Sequence, residues 1–199
     1  MGIIRRPNGK GSRGEPQFHV AHVPDRRAPL VAVTRIGLRD ARDDELDAVA
    51  DVMVAAYEQY IPPDPRAEWL AYREEIRDVR SRQGSATLIV AEEDARILGA
   101  VTYYPDGSDD SHAGWPRDWA VIRLLGVHPD ARGRGVGRLL TAECIRRARA
   151  VGCAAVGLHT TEFMAVARAM YERMGFVRVP EFDFWPIPDI HVMAYRLAL

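Results

Sequence analysis

Residues 121–138 read Val-Ile-Arg-Leu-Leu-Gly-Val-His-Pro-Asp-Ala-Arg-Gly-Arg-Gly-Val-Gly-Arg, and the rest of the chain is best read outward from them. The run from Val121 to Val127 is nearly continuous in apolar residues and of strand length, the pattern of a strand buried on both faces. His128-Pro129-Asp130 ends that run, because proline cannot donate a ladder hydrogen bond. Gly133, Gly135 and Gly137 follow, flanked by Arg132, Arg134 and Arg138. Beyond them the apolar period becomes helical, with Val136, Leu139, Leu140, Cys144 and Ala148 on one side. A strand, a turn of glycines and arginines, and a helix beginning there make an anion-binding device. Glycines let an anion approach the backbone, and free N–H groups at the helix start point at it. A phosphate or pyrophosphate is the expected ligand.

Three phosphate-binding loops compete for this segment. A Walker A loop ends in Gly-Lys-Ser/Thr, whereas Gly137 is followed by Arg138-Leu139. A dinucleotide fingerprint starting at Gly133 needs glycine at 138, and one starting at Gly135 needs it at 140; those positions hold arginine and leucine. The pattern that fits is Arg-x-x-Gly-x-Gly, Arg132 through Gly137, directly after an apolar strand. It resembles the acetyl-coenzyme A loop of the GNAT N-acetyltransferase superfamily. The competing reading is a glycine-rich turn on an ordinary strand-to-helix connection. A second segment bears on the choice. Ala167-Arg-Ala-Met-Tyr-Glu-Arg-Met-Gly-Phe176 resembles that superfamily's signature A-x-x-(L/M)-Y-x-x-x-G-F, one helix and one strand after the first.

Composition sets the outer bounds. The 199 residues are 47% hydrophobic and 28% charged, which suits one globular domain with a proper core. A net charge of −1 gives no electrostatic reason to expect a nucleic-acid partner. No apolar run approaches the roughly 18 residues of a membrane span, and no signal-peptide pattern opens the chain, so neither a membrane nor export is expected. Cys144 and Cys153 sit in apolar surroundings and read as small buried hydrophobes in a reducing cytoplasm rather than a disulfide or metal pair. The expected location is cytoplasmic, with no metal site.

Residues 1–30 mix glycines, prolines and arginines without a period and read as a flexible or irregular arm; residues 31–199 read as a single domain. Val31 to Leu38 alternates as a first strand. Asp43 is placed to cap a helix carrying Leu46, Val49, Ala50, Met53, Tyr57 and Tyr60 on one face, stopped by Pro62-Pro-Asp-Pro65. A second helix has Trp69, Tyr72, Ile76 and Val79 as its stripe. Ala86–Ala91 and Ile97–Tyr104 form a hairpin, and 105–116 is a loop of active-site-lid length. After the strand 119–127 and the helix 135–151, Cys153–Leu158 is a strand parallel to the central one, since a helix connects them. A helix with Phe163, Val166, Ala167, Met170 and Met174 inward precedes two last strands, Phe176–Val179 and His191–Leu197. The order β-α-α-β-β-β-α-β-α-β-β is α/β with a mixed sheet, and it resembles the GNAT-like acyl-CoA N-acyltransferase fold over residues 31–199.

That resemblance implies direct transfer of an acetyl group from acetyl-CoA to a primary amine, here of a small molecule. It implies that the loop Arg132, Gly133, Arg134, Gly135, Val136, Gly137 and Arg138 binds the pyrophosphate. The backbone of Leu125 and Val127 would pair with the pantetheine amides, and the Val127 N–H would polarise the thioester carbonyl as an oxyanion donor. Tyr171 becomes the general acid for the departing thiolate, against a reading as a half-buried core tyrosine. Many members carry an asparagine where this chain has Met164, so that contact is not carried over. The base is open among Glu58, His112 and His159, each of which also reads as an ordinary polar residue. Tyr57, Tyr60, Tyr103, Tyr104, Trp115 and Trp119, with the linker Phe182–Trp185, are candidates for the substrate pocket, half of them expected to be core packing. Pairing of the last strands across an edge could make a homodimer. Two other functions stand beside the first: a non-catalytic acetyl-CoA-binding sensor, and a protein or peptide N-acetyltransferase.

Overall fold

The computed structural model describes residues 36–62, 66–110 and 114–199. The N-terminal arm, the first residues of the expected first strand, Pro63 to Pro65 and the candidate base His112 lie outside the described residues. In chain order the elements are β1 (Gly37–Asp40), α1 (Leu46–Tyr57), α2 (Ala67–Arg77), β2 (Thr87–Glu93), β3 (Arg96–Tyr104), β4 (Trp119–Val127), α3 (Val136–Ala150), β5 (Ala155–Thr161), α4 (Ala165–Arg173), β6 (Val177–Arg178), β7 (Phe184–Ile187) and β8 (Ile190–Ala198). The strands form one sheet in the order β1-β2-β3-β4-β5-β8-β6, with β7 also paired to β8. Only β4 and β5 are parallel, and theirs is the strand connection that passes through α3.

The sheet is covered on both faces at its centre, which is why β2 and β3 carry continuous buried apolar runs rather than alternating. Ile89, Ala91, Val101 and Tyr103 pack against Val136, Leu140, Cys144 and Ala148 of α3. Leu88, Val90 and Ala100 face the other way, onto Val49, Met53 and Ala56 of α1 and Ile76 of α2. The β2–β3 turn is two residues long, and Asp94 and Ala95 both take positive φ (50° and 62°), the geometry that matches a hairpin's twist.

Three local expectations are corrected. Asp43 does not cap α1: a short 3-10 turn at Asp43–Glu45 precedes the helix, and the Glu45 carboxylate accepts from the Arg42 N–H at 2.9 Å. Asp43 instead accepts from Gln83. Phe163 and Val166, expected inward on that helix, are 43% and 83% exposed; α4 starts only at Ala165, so Phe163 lies outside it and Val166 falls in its open first turn. The linker before the last strand holds an additional strand, β7, so the order ends β-β-β.

One irregularity in β4 shapes the molecule. Thr102 lies opposite Arg123 but Ala100 opposite Gly126, so two residues, Leu124 and Leu125, face Val101 alone. Leu124 takes φ +50°, an uncommon conformation for a leucine and the mark of a β-bulge. The bulge exchanges the faces of the strand. Before it the even residues Ala120 and Ile122 point to the α3 side; after it Leu125 and Val127 do, and Leu124 turns to α1.

Candidate active site

Beyond the bulge, β4 leaves its neighbour. The β4–β5 ladder runs only from Trp119↔Ala155 to Ile122↔Leu158, although β4 continues to Val127 and β5 to Thr161. β5 is held on its far side by β8 as far as Thr161↔Val192, so the divergence belongs to β4. The wedge between them opens into a cleft of about 570 Å³.

Val127 puts a backbone donor into this wedge. The His128 N–H donates to the Leu98 carbonyl at 2.8 Å, and Val127 sits opposite Gly99 in the same register. In an antiparallel pair the bonding groups alternate between partner and opposite side, so the Val127 N–H and C=O face away from β3, toward the wedge. The neighbouring Leu125 carbonyl accepts from the Tyr57 hydroxyl at 3.2 Å, which ties the end of α1 to the bulged strand.

The glycine loop closes one end of the cleft. Gly133 (φ 74°) and Gly135 (φ 79°) take left-handed conformations, and a Cβ at either would meet nothing within 4 Å, so both face open space. Gly135 is the residue before α3, and the first-turn N–H groups of Val136, Gly137 and Arg138 have no acceptor within the helix. A Cβ on Gly137 would touch Leu125, Val127 and Met170, all cleft residues. The helix start thus presents a positive dipole end and a bare backbone, the cradle an anion requires. Two of the three arginines are engaged in holding it. Arg132 donates to the Ala56 carbonyl at 3.1 Å, and Arg134 pairs with Glu93 at 2.6 Å. Arg138 is exposed beside the cleft.

Tyr171, from α4, lines the same cleft with only 5% of its surface exposed, its ring edge-on to Phe176. Burial, followed by its neighbours Cys144 and Tyr60, pushes its hydroxyl well above the ordinary phenol value, so it keeps its proton across the neutral range. Met164 stands at the cleft wall, near the buried Thr160 hydroxyl, which has no hydrogen-bond partner among the described residues.

A second cavity, about 430 Å³, lies against the first and shares Tyr57, Ile122, Leu124, His159, Thr160 and Met164 with it. Its outer walls come from α2 (Trp69, Tyr72), from Phe163, and from the β7–β8 hairpin (Phe184, Ile187). His159 stands on the shared wall. Its Nε2 lies 2.9 Å from the Phe182 carbonyl, so Nε2 carries the proton and, in the neutral ring, Nδ1 carries the lone pair. Burial, against the opposing Phe182 bond, lowers its pKa below the ordinary histidine value.

The structure therefore gathers Tyr57, Tyr60, Leu125, Val127, Arg132, Gly133, Gly135, Val136, Gly137, Arg138, His159 and Tyr171 around one cleft. It places the other expected residues elsewhere. Arg134 points to the β2–β3 hairpin. Tyr104 and Trp119 line neither cavity; they join a separate cluster with Trp115 and Phe182, at the end of β4 away from the wedge. Tyr103 is core. Glu58 also lines neither cavity and pairs with Arg73 at 3.5 Å. In sequence, Asp110 is one of four acids, with Asp106, Asp109 and Asp183, that could attract an ammonium or equally be solvated loop residues; the structure buries it to 2% exposure at the second cavity, where Arg123 pairs with Glu75 and, at 3.6 Å, with Asp110. Among the described residues no helix is long and apolar enough to cross a membrane, and no cluster of three or more His, Cys, Asp or Glu side chains could hold a metal.

Comparison with known proteins bears on the fold and the family. The model of the acetyltransferase (GNAT) family matches residues 47–176. A mycothiol acetyltransferase from Propionibacterium freudenreichii is 32% identical over 167 residues, 80% of this chain and 46% of that protein, so the chain spans less than half of that relative's length. Among solved structures, a GNAT-family protein from Desulfovibrio desulfuricans superposes with a TM-score of 0.64 at 20% identity, covering 82% of this chain and 99% of the other. A GNAT acetyltransferase from Brucella melitensis in complex with acetyl-CoA gives 0.54 at 20% identity, covering 83% and 89%. At such identities the superpositions speak for the fold, while the family match extends over most of the described domain. The chain belongs to the GNAT family of acetyltransferases.

Proposed function

We propose that the chain transfers an acetyl group from acetyl-CoA directly to a primary amine of a small molecule. The observation that carries this reading is the bulge-driven wedge: a single cleft runs from a bare helix N-terminus, past an inward-facing Val127 N–H, to Tyr171, and joins a separate cavity for an acceptor. When bound, acetyl-CoA supplies an activated acyl carbon whose carbonyl oxygen gains negative charge under attack. The loop N–H groups of residues 133–138 and the Arg138 guanidinium bind the pyrophosphate. The Val127 N–H donates to the carbonyl oxygen, and the Tyr57 bond to the Leu125 carbonyl fixes the strand that aims it.

His159 is the base that this reading assigns. Its Nδ1 lone pair, on the wall between the cavities, takes the proton that the attacking nitrogen sheds. A C–N bond forms as the C–S bond breaks, the sulfur takes the Tyr171 proton, and both side chains return to their starting state by exchange with solvent. A small acceptor suits the second cavity, which the β7–β8 hairpin covers. A cytoplasmic location fits the two unpaired cysteines, Cys144 and Cys153. The test is free-thiol release from acetyl-CoA in the presence of a primary-amine library, with products identified by mass spectrometry. Amine-dependent release with an acetylated product supports the reading. Saturable acetyl-CoA binding with no amine-dependent release from any member would make the chain a binding module and refute it.

A further inference from the structure

Leu124 takes φ +50°, a conformation that glycine reaches without strain and leucine does not. Strained residues of this kind collect at functional sites, where the surrounding structure holds them in place. The side chain so held is 6% exposed, and it lines both the cleft and the second cavity. The bulge is what puts it there. Ala120 and Ile122, the even residues before it, face the α3 side, whereas Leu124 joins the α1-side cluster with Ala100 and Tyr57.

Met164 comes from the other side of the wedge, after the end of β5 and immediately before α4. It too lines both cavities, and it packs against the cluster that holds Leu124. Among the described residues, Tyr57, Ile122, His159 and Thr160 are the others common to the two spaces, so any group reaching from one space into the other passes within this frame. Leu124, Ile122 and Met164 make much of the frame apolar.

Resting on the acetyltransferase reading, we propose that Leu124 and Met164 form an acyl gate: they close around the acyl substituent of the bound thioester and select acetyl over butyryl and longer chains. The reasoning is positional. In that reading the thioester carbonyl lies at the Val127 N–H and the attacking nitrogen comes from the second cavity, so the acyl substituent lies in the frame between them. A methyl group stays within the frame. A longer chain has to push past Leu124 or Met164 into the second cavity, where it also takes the space of the acceptor. One methylene against a fitted apolar wall is worth about 10–200-fold in discrimination. A leucine that merely fills core volume would leave binding indifferent to acyl length.

Calorimetric titration with CoA, acetyl-CoA and butyryl-CoA tests this, because the ratio of the two acyl affinities cancels any general effect of a substitution on the coenzyme. The wild type is expected to bind butyryl-CoA at least about tenfold more weakly than acetyl-CoA. Leu124→Gly removes the side chain and spares the bulge, since glycine takes φ +50° freely. Met164→Ala shortens the other half of the gate. Each is expected to reduce the discrimination about tenfold, toward parity. Val166→Ala, on the wall of the cleft but not of the second cavity, is expected to keep the wild-type ratio. Met164 stands outside the helix, so its variant decides the question if Leu124→Gly does not fold. Butyryl-CoA bound by the wild type as tightly as acetyl-CoA, a ratio unmoved in either folded gate variant, or an equal shift in Val166→Ala would overturn the gate and leave the acetyltransferase reading standing. A folded wild type that binds neither CoA nor acetyl-CoA would remove both.

Discussion

Replacing Gly135 separates backbone strain from side-chain clash at the point where the phosphate cradle begins. The residue stands at φ 79° and ψ 8°, immediately before α3. An L-residue forced into that region costs roughly 1–2 kcal/mol, and alanine recovers about 0.4–1 kcal/mol of that by restricting the unfolded chain. A Cβ there meets nothing within 4 Å, so no packing term is added. Gly135→Ala should therefore lose about 1 kcal/mol, a fall in Tm of about 2–4 °C for a chain of this size. Gly135→Asn should lose less, because asparagine enters the left-handed region more readily. The strain can also be shed by rotating the loop, which takes the N–H groups of residues 136–138 off their common target. Acetyl-CoA affinity measured by calorimetry should then fall about tenfold in the alanine variant, equivalent to about 1.4 kcal/mol. An alanine variant as stable as the parent with unchanged affinity would refute the reasoning, as would an asparagine variant less stable than the alanine one.

Three further substitutions test separate parts of the structure. Tyr171→Phe keeps the ring against Phe176 but removes the proton, so kcat should fall about 10²-fold with acetyl-CoA affinity retained; an unchanged kcat would remove Tyr171 from the chemistry. Gly99→Ala would bring a methyl to 2.7 Å from the Gly126 carbonyl oxygen and 3.1 Å from Val136, and urea titration should show a loss of about 1–3 kcal/mol. Asp183 holds the last strands together through Arg178, His191 and the Ala194 N–H. Burial alone would raise its carboxyl, but these bonds outweigh it and hold the group well below the usual carboxylate range. A depressed folded pKa contributes stability in full above the unfolded value of 3.8 and loses it as pH falls through the folded value. Asp183→Asn should melt below the wild type at pH 7, with the gap narrowing below pH 3.8; a gap constant across that range would contradict the linkage.

The parts of the fold visible in the sequence were those with a local cause. The strand Trp119–Val127 coincides with its expected bounds because Pro129 and the glycines after it punctuate one apolar run. The bulge inside that strand left no trace, since Leu124, Leu125, Gly126 and Val127 are apolar or small and a change of face alters no polarity pattern. β7 was hidden by Pro186, which argues against a strand except at an edge, and β7 pairs with β8 alone. The cleft at the glycine loop was legible because it is built from one contiguous loop and one tyrosine motif. The second cavity was not. Trp69 and Tyr72 sit in a helical stripe indistinguishable from core, and nothing separates Asp110 from Asp109 until the fold turns one to Arg123 and the other to solvent. Tyr104 and Trp119 failed as pocket candidates because aromatic character reports burial, and burial occurs at both ends of β4.

Backbone amide NMR of the isotope-labelled protein during titration with acetyl-CoA reads the Val127 N–H itself. Saturable shifts of Val127, Gly133, Gly135, Val136, Gly137 and Arg138 together, with β1 amides such as Leu38 unmoved, are the predicted result. Saturable binding that leaves Val127 and the loop amides in place, with shifts confined to another face of the sheet, would contradict the assignment of the wedge as the acetyl-CoA site.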